Sequence, residues 1–86
     1  MNQSCPAFHY VYILTSVLDP SRHYTGLTRD LYRRLQDHNS GKVPHSRKSR
    51  PWSIETVVAF RSLEKAADFE RYLKSHAGRA FAKKRF

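Results

Sequence analysis

Tyr10-Val11-Tyr12-Ile13-Leu14 opens the stretch that decides the fold. The chain then turns through Asp19-Pro20-Ser21, returns through Tyr24-Thr25-Gly26 and runs on through Leu31, Arg34, Leu35 and His38. Phe8 to Thr15 is short, apolar, β-branched and aromatic, which predicts a strand buried on both faces. Phe8, Tyr10, Tyr12 and Leu14 share one face of it, and His9, Val11 and Ile13 the other. Asp-Pro-Ser is a turn signal, so Arg22 to Gly26 is expected to pair back as the second arm of a hairpin. Gly26 is expected to end that arm, at a positive φ or a close backbone approach.

Past Gly26 the periodicity changes to helical. Thr28 is the expected N-cap, Asp30 lies in the first turn, and Asn39-Ser40-Gly41 is the stop. Leu31 and Leu35 mark the inward face. Arg34 and His38 fall on or beside that stripe, at a helical phase that a solvent-facing arginine does not require.

Lys42 to Arg50 carries Lys42, His45, Arg47, Lys48 and Arg50 with no acidic residue, and is punctuated by Pro44 near its start and Pro51 just past its end. It is expected to be an exposed loop, either a solvated charge run or a contact for phosphates. A third strand is expected over Ser53 to Phe60. Ser62 then caps a second helix whose inward stripe is Leu63, Ala66, Glu70, Leu73 and Ala77, with Gly78 as its breaker. Glu70 in mid-stripe is costly unless paired, hydrogen-bonded or bound to a metal. Residues 79–86 are expected to form a last helical turn or two and a basic tail.

Bulk composition narrows the partner. The 86 residues allow one domain, placed over residues 8–86 behind a flexible lead-in at 1–7. Sixteen Lys and Arg against seven Asp and Glu give a net charge of +9. That balance favours a polyanion, with nucleic acid ahead of a membrane surface or a ribosomal niche, because each neutralised phosphate releases condensed counterions. The single cysteine, Cys5, excludes an internal disulfide, and no Cys/His cluster has zinc spacing. No apolar run approaches the ~20 residues that span a bilayer, and the first residues lack the pattern of a secretory signal. The default location is the cytoplasm, with no membrane partner.

From the residues alone, two accounts of the inward polar groups stay open. Glu70 and Arg34 can form a buried ion pair among core tyrosines. Alternatively, a carboxylate holds a divalent cation, an arginine balances phosphate charge, and tyrosine hydroxyls orient or deprotonate a water. A tyrosine of pKa about 10 is a poor base without a nearby cation.

Tyr10-Val11-Tyr12 and Tyr24-Thr25-Gly26, followed by Thr28, Asp30-Leu31, Arg34-Leu35 and His38-Asn39, resemble the GIY-YIG nuclease family. The likeness is to its compact single-domain bacterial members, and it extends over roughly residues 8–85. The later Ala66, Glu70 and Lys74 are similar to the family helix that carries the metal-binding glutamate.

The resemblance implies a small α+β fold, a three-stranded antiparallel sheet flanked by helices. It implies DNA phosphodiester hydrolysis with Mg²⁺ or Mn²⁺, of repair or recombination type. Position by position, Glu70 is the metal ligand and Arg34 stabilises phosphorane charge. Tyr24 is the base or positions the water, Tyr12 orients the nucleophile or phosphate, and His38 assists by hydrogen bonding or proton transfer.

Tyr10 stands where the first motif has glycine, Thr25 where the second has isoleucine, and Leu27 where some repair members carry lysine. His45-Ser46 receives no catalytic role. Lys42, Arg47, Lys48, Arg50, Lys74, Lys83 and Lys84 are the candidate nucleic-acid contacts. The candidate partners are DNA and a larger repair or recombination protein. The rival is a module that keeps the fold and binds nucleic acid without cutting it, or an adaptor on a larger complex.

Overall fold

A computed structural model describes residues 7–86. The predicted lead-in therefore falls, apart from Ala7, outside the described residues. The elements are β1 (His9–Ser16), β2 (His23–Thr28), α1 (Leu31–Asn39), β3 (Trp52–Phe60), α2 (Leu63–Lys74) and α3 (His76–Arg85). The three strands form one antiparallel sheet in the order β2-β1-β3. The α+β class read from the sequence is the one observed.

β1 is central because it alone is apolar on both faces: Val11, Tyr12, Ile13 and Leu14 are all buried. Val11 and Ile13 pack with Ala66 and Leu73 of α2, joined by Phe60, Phe69 and Phe81. Tyr12 and Leu14 pack with Trp52 on the other face, beside Tyr24, Leu31 and Leu35. The sheet thus separates two small cores, one under α2 and α3 and the other under α1 and the loop after it.

Several boundaries differ from the sequence expectations. β2 continues past Gly26, since Leu27 and Thr28 still pair with Val11 and Tyr10. Thr28 is consequently the last strand residue. Asp30 is the N-cap of α1, its carboxylate accepting from the Arg33 N–H at 3.1 Å, while the Thr28 hydroxyl accepts from the Asp30 N–H. Gly26 has no positive φ. It lies opposite Tyr12 in the ladder, and a Cβ built on it would fall 2.3 Å from the Tyr12 hydroxyl oxygen. Close approach is the reason for this glycine.

The Ser62 cap holds, accepting from the Lys65 N–H. The inward stripe of α2 is narrower than expected, because Leu63 is 56% exposed and Ala77 lies beyond the helix end. The break is at Ser75. Its backbone N–H donates to Tyr72 O, closing α2, and its hydroxyl accepts from the Gly78 N–H, opening α3. Gly78 sits inside α3, where a Cβ would come within 1.7 Å of the Tyr72 carbonyl oxygen. The glycine lets the two helices meet tightly. The expected turn-and-tail is therefore a ten-residue helix, held by Phe81 and Ala82 against the first core.

The connection from Lys42 to Arg50 is a loop with one 3₁₀ turn, Arg47–Ser49. Its basic side chains are exposed, but Val43 and Ser46 are buried. The loop is tied inward at three points. The Ser16 hydroxyl donates to Ser49 O, the Trp52 indole N–H donates to Ser46 O, and Asn39 exchanges two hydrogen bonds with the Trp52 backbone.

Candidate active site

The site is built where β1, β2 and α1 converge. Tyr12 is delivered by the central strand and its ring passes over Gly26. Its hydroxyl oxygen lies 3.0 Å from His38 Nε2 and accepts from Arg34 Nε at 3.4 Å. Arg34 and His38, one turn apart on α1, therefore meet the same oxygen. The other imidazole nitrogen, His38 Nδ1, lies 2.7 Å from the Ser46 hydroxyl. Tyr24 of β2 stacks near Tyr12, centroids 6.5 Å apart, and meets the His38 ring edge-on at 4.5 Å.

Burial divides these groups. Tyr12 is 1% exposed and His38 is 0% exposed, whereas the Arg34 side chain is 37% exposed and Tyr24 is half-buried. Among the described residues the Tyr24 hydroxyl has no hydrogen-bond partner. The open side thus presents Arg34 and Tyr24, with Tyr12 and His38 as the layer behind.

The electrostatics follow from this layering. Burial pushes the Tyr12 phenol pKa up. The Arg34 guanidinium opposes this by hydrogen bond and charge, while Tyr24 and Glu70 add to it. Tyr12 is a neutral hydroxyl at pH 7. Burial and then the charge of Arg34 lower His38 to about 4, against a weaker opposing pull from Asp37, so its imidazole is neutral too. The hydrogen bond to Tyr12 raises the pKa of Arg34. One cation therefore stands before two neutral buried groups, which suits an anionic ligand.

Glu70 comes from α2, and its side chain is 16% exposed. Lys74, one turn on, holds its Oε2 at 2.5 Å. No hydrogen bond joins Glu70 to the tyrosine cluster among the described residues, but its charge acts on Tyr12. The buried Arg34–Glu70 ion pair that the sequence left open is absent among these residues. No group of three or more His, Cys, Asp and Glu side chains gathers there either. The donor available to a metal is a single carboxylate. It suits a hard cation that keeps most of its shell as water and phosphate oxygens, as Mg²⁺ does.

Lys42, Arg47, Lys48 and Arg50 all lie exposed on the loop that carries Ser46, adjoining the cluster. Lys74, Lys83 and Lys84 are exposed on α2 and α3, whose apolar sides cover the opposite face of the sheet. A concavity of about 1000 Å³ between the sheet and α3 is lined by Tyr24, His23, Lys74, Arg79 and Lys83 among others. Tyr12, Arg34, His38 and Glu70 do not line it. The sequence missed Ser46 as a member of the cluster. A lone serine in a basic loop carries no periodicity, and only the fold brings it to His38.

A hairpin and a helix thus converge on Tyr12, Arg34 and His38 in a small α+β domain, with the carboxylate of Glu70 on a second helix. Residues 8–85 match the family model described as the GIY-YIG catalytic domain, and the chain belongs to that family. It is 41% identical over 76 residues to the structure-specific endonuclease subunit SLX1 of Candida dubliniensis, covering 80% of this chain and 27% of that protein. It is 39% identical over 67 residues to the UPF0213 protein BH0048 of Halalkalibacterium halodurans, covering 77% of this chain and 69% of that one. The solution NMR structure of the UPF0213 protein BH0048 from Bacillus halodurans superposes with a TM-score of 0.54 at 34% identity, over 90% of this chain and 83% of that one. The chain thus spans only about a quarter of the Candida relative. Among the described residues no helix is long and apolar enough to cross a membrane.

Proposed function

We propose that this chain is a DNA endonuclease that hydrolyses phosphodiester bonds with the help of one divalent cation, Mg²⁺ or Mn²⁺. The observation that carries this is the Arg34 guanidinium. Its Nε is spent on Tyr12 and one terminal nitrogen lies 4.0 Å from Asp37 Oδ2, so the side chain is held at both points while remaining 37% exposed. A fixed cation there stabilises the negative charge that grows on a phosphate under attack.

The other residues divide by access. Tyr24 offers a free hydroxyl beside Arg34, placed to orient the attacking water and accept a bond from it. Tyr12 and His38, being buried, act through Arg34 and hold it in place. Glu70 would hold the cation, with Lys74 giving up its oxygen. When bound, that cation supplies charge neutralisation and a more acidic water. Lys42, Arg47, Lys48 and Arg50 would grip the backbone of the same strand.

Branched or otherwise irregular DNA is the substrate class we assign, because the fungal relatives are named as structure-specific endonuclease subunits. The word subunit also points to a partner protein, of which this domain would be the cutting part. The test is incubation of the purified chain with flap, junction, looped and linear duplexes in Mg²⁺ or Mn²⁺. Cleavage of the branched forms is expected. Salt-dependent binding without any cleavage, with or without a partner, would make the chain a binding module.

A further inference from the structure

We propose that Ser46 is a positioning residue: its hydroxyl holds the proton of His38 on Nδ1, and so aims the Tyr12 hydroxyl proton at His38 and the Tyr12 lone pair at Arg34.

Donor and acceptor chemistry sets the direction of the chain, most firmly at its Arg34 end. Arg34 Nε can only donate, and it donates to the Tyr12 oxygen at 3.4 Å. The Val43 carbonyl can only accept, and the Ser46 hydroxyl donates to it at 3.3 Å. Between them lie the 3.0 Å contact of Tyr12 with Nε2 and the 2.7 Å contact of Ser46 with Nδ1. One arrangement fills every position. Arg34 Nε–H donates to Tyr12, Tyr12 O–H to Nε2, Nδ1–H to Ser46, and Ser46 O–H to Val43.

The opposite tautomer fails at the Tyr12 end. With the proton on Nε2, Tyr12 would accept from both Arg34 and His38, and its own proton would have no partner in a residue 1% exposed. Ser46 O–H would then donate to Nδ1, with the Val43 carbonyl keeping the Ser46 N–H, so the Tyr12 end decides. A buried donor left unpaired costs ~1–3 kcal/mol, which favours the first arrangement by a factor of roughly 5 to 150.

Ser46 is suited to this role and is not needed merely to hold the loop. The loop is held by its backbone, with Ser46 N–H donating to Val43 O and Ser46 O accepting from the Trp52 indole. Those contacts survive Ser46→Ala. What is lost is the acceptor that keeps the proton on Nδ1. The imidazole can then present either nitrogen to Tyr12, and the hydroxyl that anchors Arg34 no longer has one orientation.

The part of the proposal that concerns rate rests on the nuclease function; the part that concerns the tautomer does not. The first measurement is long-range ¹H–¹⁵N correlation of the His38 ring in the full chain without metal. A single Nδ1–H tautomer is expected, and a proton on Nε2 in the wild-type chain would overturn the proposal. Ser46→Ala should give mixed tautomers, and Ser46→Thr, which keeps the hydroxyl, should restore the wild-type spectrum. On a cleavable DNA with Mg²⁺ or Mn²⁺, Ser46→Ala should lower kcat about tenfold with KM within about twofold, and Ser46→Thr should recover most of it. An unchanged tautomer or an unchanged kcat in a folded Ser46→Ala variant would also refute it. If Ser46→Ala does not fold, the wild-type spectrum and the Thr variant still decide.

Discussion

The Tyr12 ring lies across Gly26, so that a Cβ built at Gly26 would stand 2.3 Å from the phenolic oxygen and 2.4 Å from the carbon bearing it. The glycine of the second motif and the tyrosine of the first are thus two halves of one contact. The missing side chain on β2 is the space through which the Tyr12 hydroxyl reaches Arg34 and His38. Gly26→Ala should displace that hydroxyl within a buried site. It should destabilise the chain by about 1–3 kcal/mol and lower DNA cleavage at least about tenfold, measured by urea unfolding and by gel assay. Wild-type cleavage in Gly26→Ala would show that the Tyr12–Arg34 contact is dispensable.

His38 makes stability depend on pH in a defined sense. Its pKa is about 4 in the folded chain against 6.5 for the free side chain. Between those values the unfolded chain binds a proton that the folded chain refuses. The stabilisation is therefore fully present above about 6.5 and is lost as pH falls toward 4. Urea unfolding at pH 7 and pH 4.5 should show a fall on the order of 2 kcal/mol larger in the wild type than in His38→Gln. Equal falls would mean that His38 is not held neutral.

If Glu70 holds the cation as proposed, Lys74 competes with it. With the ammonium 2.5 Å from Oε2, a cation bound there would have to displace it. Lys74→Met should tighten Mn²⁺ binding about threefold by calorimetry on the protein alone, and Glu70→Gln should weaken it at least about tenfold. If Glu70→Gln binds Mn²⁺ as the wild type does, the ion is held elsewhere.

The exposed run Arg47, Lys48 and Arg50 adjoins the cluster through Ser46. Replacing all three by alanine should weaken DNA binding and reduce the slope of log K against log salt by about 2–3, roughly one per lost phosphate contact. An unchanged slope would return this loop to a solvated charge run.

Much of this architecture was legible in the amino-acid sequence, because it follows from local patterns. β1 announces itself by unbroken β-branched and aromatic residues, and α1 by the spacing of Leu31, Leu35 and His38. Glu70 stands out as a carboxylate on an apolar stripe. What was not legible depends on neighbours distant in the chain. Thr28 has the chemistry of a cap, but Tyr10 keeps it in the ladder and passes the cap to Asp30. Gly78 resembles a breaker, yet it serves the contact with Tyr72, and Ser75 makes the break. Ser46 has no local signal, since its partner His38 is eight residues away across a turn. The Lys74 clasp on Glu70 follows from helical spacing, but whether it forms depends on what else faces the carboxylate.

The central claim is that Arg34 and Glu70 turn a basic α+β domain into a nuclease. It is tested most directly by single-turnover cleavage of a labelled flap DNA in Mn²⁺, comparing the wild-type chain with Arg34→Ala and Glu70→Ala at matched DNA occupancy. The wild type should cut, and each variant should be slower by at least about a hundredfold while still folded and bound to DNA. Cleavage by either variant at the wild-type rate, or none by the wild type, would contradict it.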